Sequence, residues 1–262
     1  MLSFLPNPSP SPLAQRLRAG EPVIGTFVKT TSGQTVELLG QSGMDFVILD
    51  AEHAPFGLDA LDGALCAARE SGLCTLVRVP SHDPHFINSC LDMGASGIVA
   101  PHVQSAATAE TIADAVKYAR GKRGFSPSGR AGRYGQLDPA AYRSAADAGN
   151  MIWCQIEDRA AMDRLDEIAC VEAIDCLFIG PADLGLSLGC AGPDDPRLMN
   201  AIREIIATGR HHGRTVGIFV PDTDAIPPLL DLGATVFVCG SDQGFLLGRA
   251  KQVVGRMNKI KQ

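Results

Sequence analysis

Short runs rich in Val, Ile, Leu and Phe recur along the chain, and longer segments whose apolar positions repeat every three or four residues lie between them. The short runs fall at 23–30, 45–52, 74–80, 96–102, 151–158, 175–181, 215–220 and 235–240, the length and composition of buried strands. The longer segments, at 34–41, 58–71, 84–93, 106–119, 160–168, 196–211, 222–232 and 243–257, carry the helical period. Strands separated by amphipathic helices imply right-handed βαβ units and a parallel sheet, and eight such units close naturally. The predicted fold is therefore α/β, a (β/α)8 TIM barrel.

An internal echo supports the repeat. Leu91-Asp92-Met93-Gly94-Ala95 runs into the fourth strand and Leu230-Asp231-Leu232-Gly233-Ala234 into the eighth. Each places a glycine where a helix ends and a left-handed residue is needed. Two stretches depart from the repeat. A proline-rich arm occupies 1–20, and an insertion at about 121–150 opens with Gly121, Lys122, Arg123, Arg130 and Arg133 before a predicted helix at 139–148. A connection of that length is usually functional or mobile. The expectation is one domain over 1–262.

With 262 residues, 45% of them hydrophobic, the chain has material for one large core. A net charge of -6 argues against a nucleic-acid surface and for a small-molecule partner. No run approaches the roughly 20 apolar residues of a membrane span, and prolines interrupt the first 20 residues where a secretory signal would lie. A cytoplasmic protein is expected. The eight cysteines are scattered without a C-x-x-C pair, so they read as small, reduced core residues rather than zinc ligands or a redox pair.

In a closed barrel the chemistry sits at the C-terminal ends of the strands, and here those ends are polar. The second ends Asp50-Ala51-Glu52-His53, the third carries Arg78, the fifth carries Gln155 and Glu157 on one face, and the sixth runs into Gly180-Pro181-Ala182-Asp183-Leu184. Two carboxylates with room for water and a chelating substrate suit a hard divalent cation such as Mg2+ or Mn2+. Such an ion stabilises negative charge developing on a ketone oxygen, and Arg78 is placed to share that charge.

Taken together, Asp50-Ala51-Glu52-His53, Val77-Arg78-Val79, Val103-Gln104-Ser105, Gln155-Ile156-Glu157, Gly180-Pro181-Ala182-Asp183-Leu184 and Gly240-Ser241-Asp242 resemble, in order and spacing, the metal-dependent class II aldolases of the HpcH/HpaI family. The likeness runs from about Gly25 to Leu247. It implies a phosphoenolpyruvate/pyruvate-type barrel that cleaves a 4-hydroxy-2-oxo acid to pyruvate and an aldehyde. It further implies that Glu157 and Asp183 hold a divalent cation (Mg2+, Mn2+ or Co2+), that His53 is the base with Asp50 orienting it, and that Arg78 stabilises the pyruvate enolate. Gln155 hydrogen-bonds nearby, the backbone amides at Ala182 and Asp183 hold the substrate carboxylate, and Asp92 helps to position the histidine. The resemblance also implies a homo-oligomer, a trimer or hexamer with the last helix packed on a neighbour. His102 stands where the family often has an apolar residue, which predicts a more polar pocket, and the insertion matches only part of the family. Both are expected to bear on the aldehyde.

Plainer roles compete for the same residues. His53 can cap a helix, Asp183, Glu157 or Asp158 can be N-caps, Arg78 can be one half of an ion pair, and Asp92 can be structural because Asp231 matches it in the echo. Lys29, at the end of the first strand, is the candidate for a rival Schiff-base mechanism. Decarboxylation of a 2-oxo acid such as oxaloacetate, or carboxylate binding without catalysis, uses the same parts. His82, His85, His211 and His212 read as loop or helix-surface residues.

Overall fold

The computed structural model describes residues 12–261. The strands are β1 (Val23–Val28), β2 (Phe46–Asp50), β3 (Cys74–Arg78), β4 (Gly97–Ala100), β5 (Met151–Ile156), β6 (Cys176–Ile179), β7 (Thr215–Val220) and β8 (Val236–Ser241). They pair in chain order, all parallel, and β8 closes on β1, so the sheet is a complete (β/α)8 barrel. The helices are α1 (Pro12–Arg18), α2 (Gly33–Gly40), α3 (Leu58–Glu70), α4 (Pro84–Asp92), α5 (Ala106–Val116), α6 (Pro139–Gly149), α7 (Arg159–Met162), α8 (Leu165–Ala169), α9 (Pro181–Ser187), α10 (Pro196–His211), α11 (Ile226–Leu232) and α12 (Asp242–Ile260).

Strand alternation divides the core in two. Phe46, Ile48, Leu76, Val99, Met151, Trp153, Phe178 and Val238 fill the barrel interior, with Phe46 and Phe178 both against the Trp153 ring. The residues between them, such as Val47, Leu49, Val77, Ile98, Ile152 and Leu177, pack outward under the helices. The same period of two determines what comes next along each strand. Two residues beyond Ile48 is Asp50, two beyond Leu76 is Arg78, and two beyond Trp153 is Gln155. The apolar interior thus ends in a polar layer at the mouth.

All eight strands and most helices lie where the sequence predicts them, and Gly94 and Gly233 of the echo are left-handed, at φ +104° and +108°. Four features differ. Part of the expected arm, residues 12–18, is helix α1; its Leu13, Ala14 and Leu17 join the interior cluster and cover the barrel floor. The rest of the arm lies outside the described residues. The single helix expected at 160–168 is broken into α7 and α8, because Arg164 leaves helical geometry at φ -131° and each piece buries its own apolar residues. The third feature, α9, directly follows β6, and its signals were present as proline in the first turn and Asp183 two residues later. The last is the insertion. It follows α5, a helix that returns the chain to the strand starts, so it packs outside the barrel against α3 and α4. Arg123, its side chain fully buried, donates to Asn88 Oδ1, Val116 O and Asp92 Oδ1 and stacks on Tyr118. Arg130 donates to Met93 O and the Asp62 carboxylate. The insertion therefore does not line the mouth of its own chain, contrary to the expectation that it shapes the aldehyde pocket there.

Candidate active site at the strand ends

Asp50, the last residue of β2, has no solvent exposure. Its neighbour across the sheet is Arg78, whose Nε and Nη2 donate to the two carboxylate oxygens at 2.9 and 2.7 Å. Lys29 Nζ lies 3.3 Å from Oδ2, and the backbone amides of His53 and Glu52 donate to Oδ1 at 3.1 and 3.3 Å. Burial by itself pushes the Asp50 carboxyl pKa up, but these donors and cations more than reverse that and hold it below the usual carboxylate value. Asp50 thus positions His53 through its backbone, and the exposed imidazole is left facing solvent. Arg78 is 5% exposed, lies over the Phe27 ring at 4.5 Å, and has Glu52 3.3 Å from Nε.

On the far side of the mouth, Glu157 is 2% exposed. Its Oε1 accepts from the His102 amide at 2.9 Å and its Oε2 from the Gln155 side-chain amide. Burial raises the pKa of this carboxyl, only partly offset by the His102 and Gln155 bonds. Gln155 Oε1 is buried with no hydrogen-bond partner. A buried lone acceptor beside a buried carboxylate costs free energy unless something electropositive meets both. Gly180 makes the arrangement sterically possible: a Cβ there meets Glu157 Oε2 at 2.8 Å and Gln155 Nε2 at 2.9 Å. The chain then enters α9, so Ala182 and half-buried Asp183 stand in its first turn, where backbone amides have no intrahelical acceptor.

His102 joins the two sides. It holds a left-handed φ of 52°, uncommon for a residue with a side chain, and this turn delivers its amide to Glu157. Its Nδ1 meets Asp158 Oδ2 at 3.0 Å, and its Nε2 lies 3.7 Å from Glu52 Oε1. Burial disfavours the imidazolium, but the Asp158, Glu157 and Glu52 carboxylates outweigh it and raise the His102 pKa.

Of the residues singled out in the sequence, Asp50, His53, Arg78, Gln155, Glu157, Ala182 and Asp183 are brought to one mouth. Asp92 is not: it ends α4, held by Arg123 and within 3.5 Å of Asn88, with burial raising its pKa against the pull of Arg123. Within this chain it cannot position His53, and the structural reading of Asp92 is the one the contacts support. The capping alternatives also fall away. Asp158 makes no side-chain cap to α7, and Asp183 lies inside α9, whose N-cap is Gly180. Lys29 is paired with Asp50. Sequence reasoning assigned Asp158 only a capping role and gave Glu52 and Asp242 no individual part in the site, though each stands at a strand end. Asp242, 8% exposed, accepts from the amides of Lys29 and Thr30 at 2.9 and 3.0 Å and so ties β8 to β1 at the mouth.

The mouth carries Asp50, Glu52, Glu157, Asp158, Asp183 and Asp242 against Lys29 and Arg78, an excess of negative charge that a divalent cation would offset. No set of three or more His, Cys, Asp or Glu residues forms a cage among the described residues. Two carboxylates, Glu157 and Asp183, with the unpartnered Gln155 oxygen instead fit a hard cation that keeps positions for water and substrate.

The family profile described as HpcH/HpaI aldolase/citrate lyase matches residues 23–248. A hydroxypyruvate/pyruvate aldolase of Pseudomonas aeruginosa is 36% identical over 245 residues, covering 92% of this chain and 91% of the relative. A 5-keto-4-deoxy-D-glucarate aldolase of Shigella boydii is 32% identical over 252 residues, covering 95% and 97%. Among solved structures, an HpcH/HpaI aldolase/citrate lyase family protein from Burkholderia cenocepacia superposes with a TM-score of 0.90 at 29% identity, covering 95% of this chain and 99% of that one.

Proposed function

Since the chain belongs to the HpcH/HpaI aldolase/citrate lyase family, we propose that it is a carbon–carbon lyase, a class II pyruvate aldolase, that cleaves a 4-hydroxy-2-oxo acid to pyruvate and an aldehyde. The observation that carries this reading is the meeting, at one mouth, of buried Glu157 beside the unpartnered Gln155 Oε1 with the buried Arg78 guanidinium held by Asp50.

Glu157 and Asp183 would hold the divalent cation, Mg2+, Mn2+ or Co2+, which would supply Lewis-acid polarisation of the substrate oxygens. Ala182 and Asp183 offer the free amides of the first turn of α9 to the substrate carboxylate. His53 takes the proton of the 4-hydroxyl; the C3–C4 bond then breaks, its electron pair passing to the pyruvate fragment as the aldehyde carbonyl forms. Arg78, fixed by the Asp50 fork, donates to the developing enolate oxygen, and Gln155 hydrogen-bonds beside it. Protonation at C3 completes pyruvate. His102 and Asp158 lie on the rim where the aldehyde half leaves.

The same reading takes 1–262 as one domain of a cytoplasmic protein with no nucleic-acid or membrane partner. No helix among the described residues is long and apolar enough to cross a membrane, and the net charge is -6. A homo-oligomer, trimer or hexamer, is supported by α12, which leaves Leu246, Leu247, Val253, Val254, Met257 and Ile260 exposed.

The test is pyruvate release from a panel of 4-hydroxy-2-oxo acids, coupled to lactate dehydrogenase, in EDTA and after adding Mg2+, Mn2+ or Co2+. Release restored by metal in the wild type and absent in Glu157→Ala and Asp183→Ala is expected. Release from oxaloacetate alone, or full activity in either variant, overturns the reading.

A further inference from the structure

A second cluster of reactive side chains lies away from the strand ends, at the C-terminal ends of α8 and α10, and the lyase reading gives it no part. Cys170 caps α8 and His212 caps α10. Cys170 Sγ lies 3.5 Å from His212 Nδ1, and His212 Nε2 lies 2.9 Å from Asp166 Oδ1. The imidazole is thus held between a thiol and a carboxylate. With its Nε2 proton given to Asp166, Nδ1 presents a lone pair to the S–H, the order in which thiol, base and orienting acid work together. The His211 ring meets the His212 ring edge-on at 5.0 Å and limits its rotation.

Two further observations distinguish Cys170 from the other thiols. The turn that carries it is held in place: the Arg214 guanidinium donates to the carbonyls of Ala169, Glu172 and Ile174, on either side of Cys170. Contrary to the expectation that the cysteines are core residues, Cys170 is exposed, whereas Cys90 and Cys154 are buried as expected, and burial pushes their thiol pKa up to about 12. Reactive cysteines are accessible and stand beside a base that can take the proton, and buried ones are inert. Cys66 is exposed too, but no hydrogen bond to its sulfur is made among the described residues, so the protein carries its own control.

We propose that Cys170 is a reactive thiol, served by His212 and Asp166, that is modified by small electrophiles of the hydroperoxide class. His212 Nδ1 takes the thiol proton and the sulfur attacks one peroxide oxygen. The O–O bond breaks, the sulfur keeps the attacked hydroxyl and is oxidised to a sulfenic acid, and the leaving oxygen takes the proton from His212 to depart as water from hydrogen peroxide or as an alcohol from an organic hydroperoxide. The site works independently of the lyase chemistry, since none of its residues reaches the mouth.

The test uses the full-length chain at neutral pH, with iodoacetamide and, separately, hydrogen peroxide followed by a sulfenic-acid trap, read by peptide mass spectrometry. Cys170 is expected to react about tenfold faster than Cys66, as an activated thiol does relative to an ordinary one. His212→Gln and Asp166→Asn, changes on the surface, should each remove that advantage and leave the Cys66 rate unchanged. Unlabelled Cys154 and Cys176 report that each variant is folded. Equal rates for Cys170 and Cys66 in the wild type, or an unchanged Cys170 rate in the folded variants, overturns the proposal.

Discussion

Asp50 and Glu157 are carboxylates of the same mouth whose burial has opposite consequences. At Asp50 the Arg78 fork, the His53 amide and Lys29 overcome desolvation and lower the pKa below 3.8. Its contribution to stability is therefore complete above that value and is lost as pH falls through the lower folded value. Arg78→Ala leaves Asp50 buried with Lys29 as its remaining ion-pair partner. We expect a loss of about 3 kcal/mol at pH 7, an acid-unfolding midpoint moved to higher pH, and turnover lower by about 100-fold or more, measured by urea unfolding and the coupled assay. At Glu157 desolvation prevails and the pKa is raised from 4.5. Without a cation, stability then declines as pH rises from 4.5 through the raised value, because the folded protein holds this proton more tightly than the unfolded chain. Glu157→Gln in EDTA should melt roughly 2–4 °C higher at pH 7, the equivalent of about 1 kcal/mol in a chain of this size, while losing metal-dependent turnover. A lower melting temperature contradicts the assignment of Glu157 as a destabilising buried charge.

At the scale of elements, two junctions hold the mouth. Gly180 joins β6 to α9, and any side chain there meets the Glu157 carboxylate and the Gln155 amide. Gly180→Ala is expected to weaken cation binding about 10–100-fold, as disturbance of the groups around a ligand does, with an unchanged far-ultraviolet circular dichroism spectrum. Calorimetric titration with Mn2+ decides it. Asp242 opens α12, and its carboxylate accepts from both amides that follow β1. Asp242→Ala removes two charge-assisted bonds and should cost about 2–3 kcal/mol in urea unfolding, with the loss concentrated at the β8–β1 seam where hydrogen exchange of Lys29 and Thr30 can report it. The strand ends were legible because a period of two is a local property. The N-terminus of α9 was legible in part, from Pro181 and Asp183, but its start at Pro181, with Gly180 rather than Asp183 as N-cap, depended on the close approach of Gly180 to Glu157.

At the scale of the molecule, the barrel places an apolar interior beneath a polar mouth, with α1 covering its floor. It leaves α12 outside: after Asp242, its side chains are exposed or half-exposed, Leu246 and Ile260 by more than three quarters of their surface. An apolar face of that extent on a monomer is unfavourable in water, and the proposed homo-oligomer would cover it. Sedimentation should show the full chain as an oligomer and a chain ending at residue 248 as a smaller species. A monomeric full chain contradicts the oligomer reading.

By itself the sequence determined the barrel, the strand that carries each mouth residue, and the pairing of Glu157 with Gln155 on one face, because strand period, helix period and glycine or proline boundaries are all read within a few residues. Tertiary structure alone decided that Asp50 grips His53 by its backbone, that His102 turns left-handed to meet Glu157, and that Asp242 reaches amides 213 and 212 residues away. It also carried Asp92 and the insertion away from their own mouth and set Cys170 against His212. These contacts join residues distant in the chain, and their distances exist only once the barrel has closed and each helix has docked on its own pair of strands.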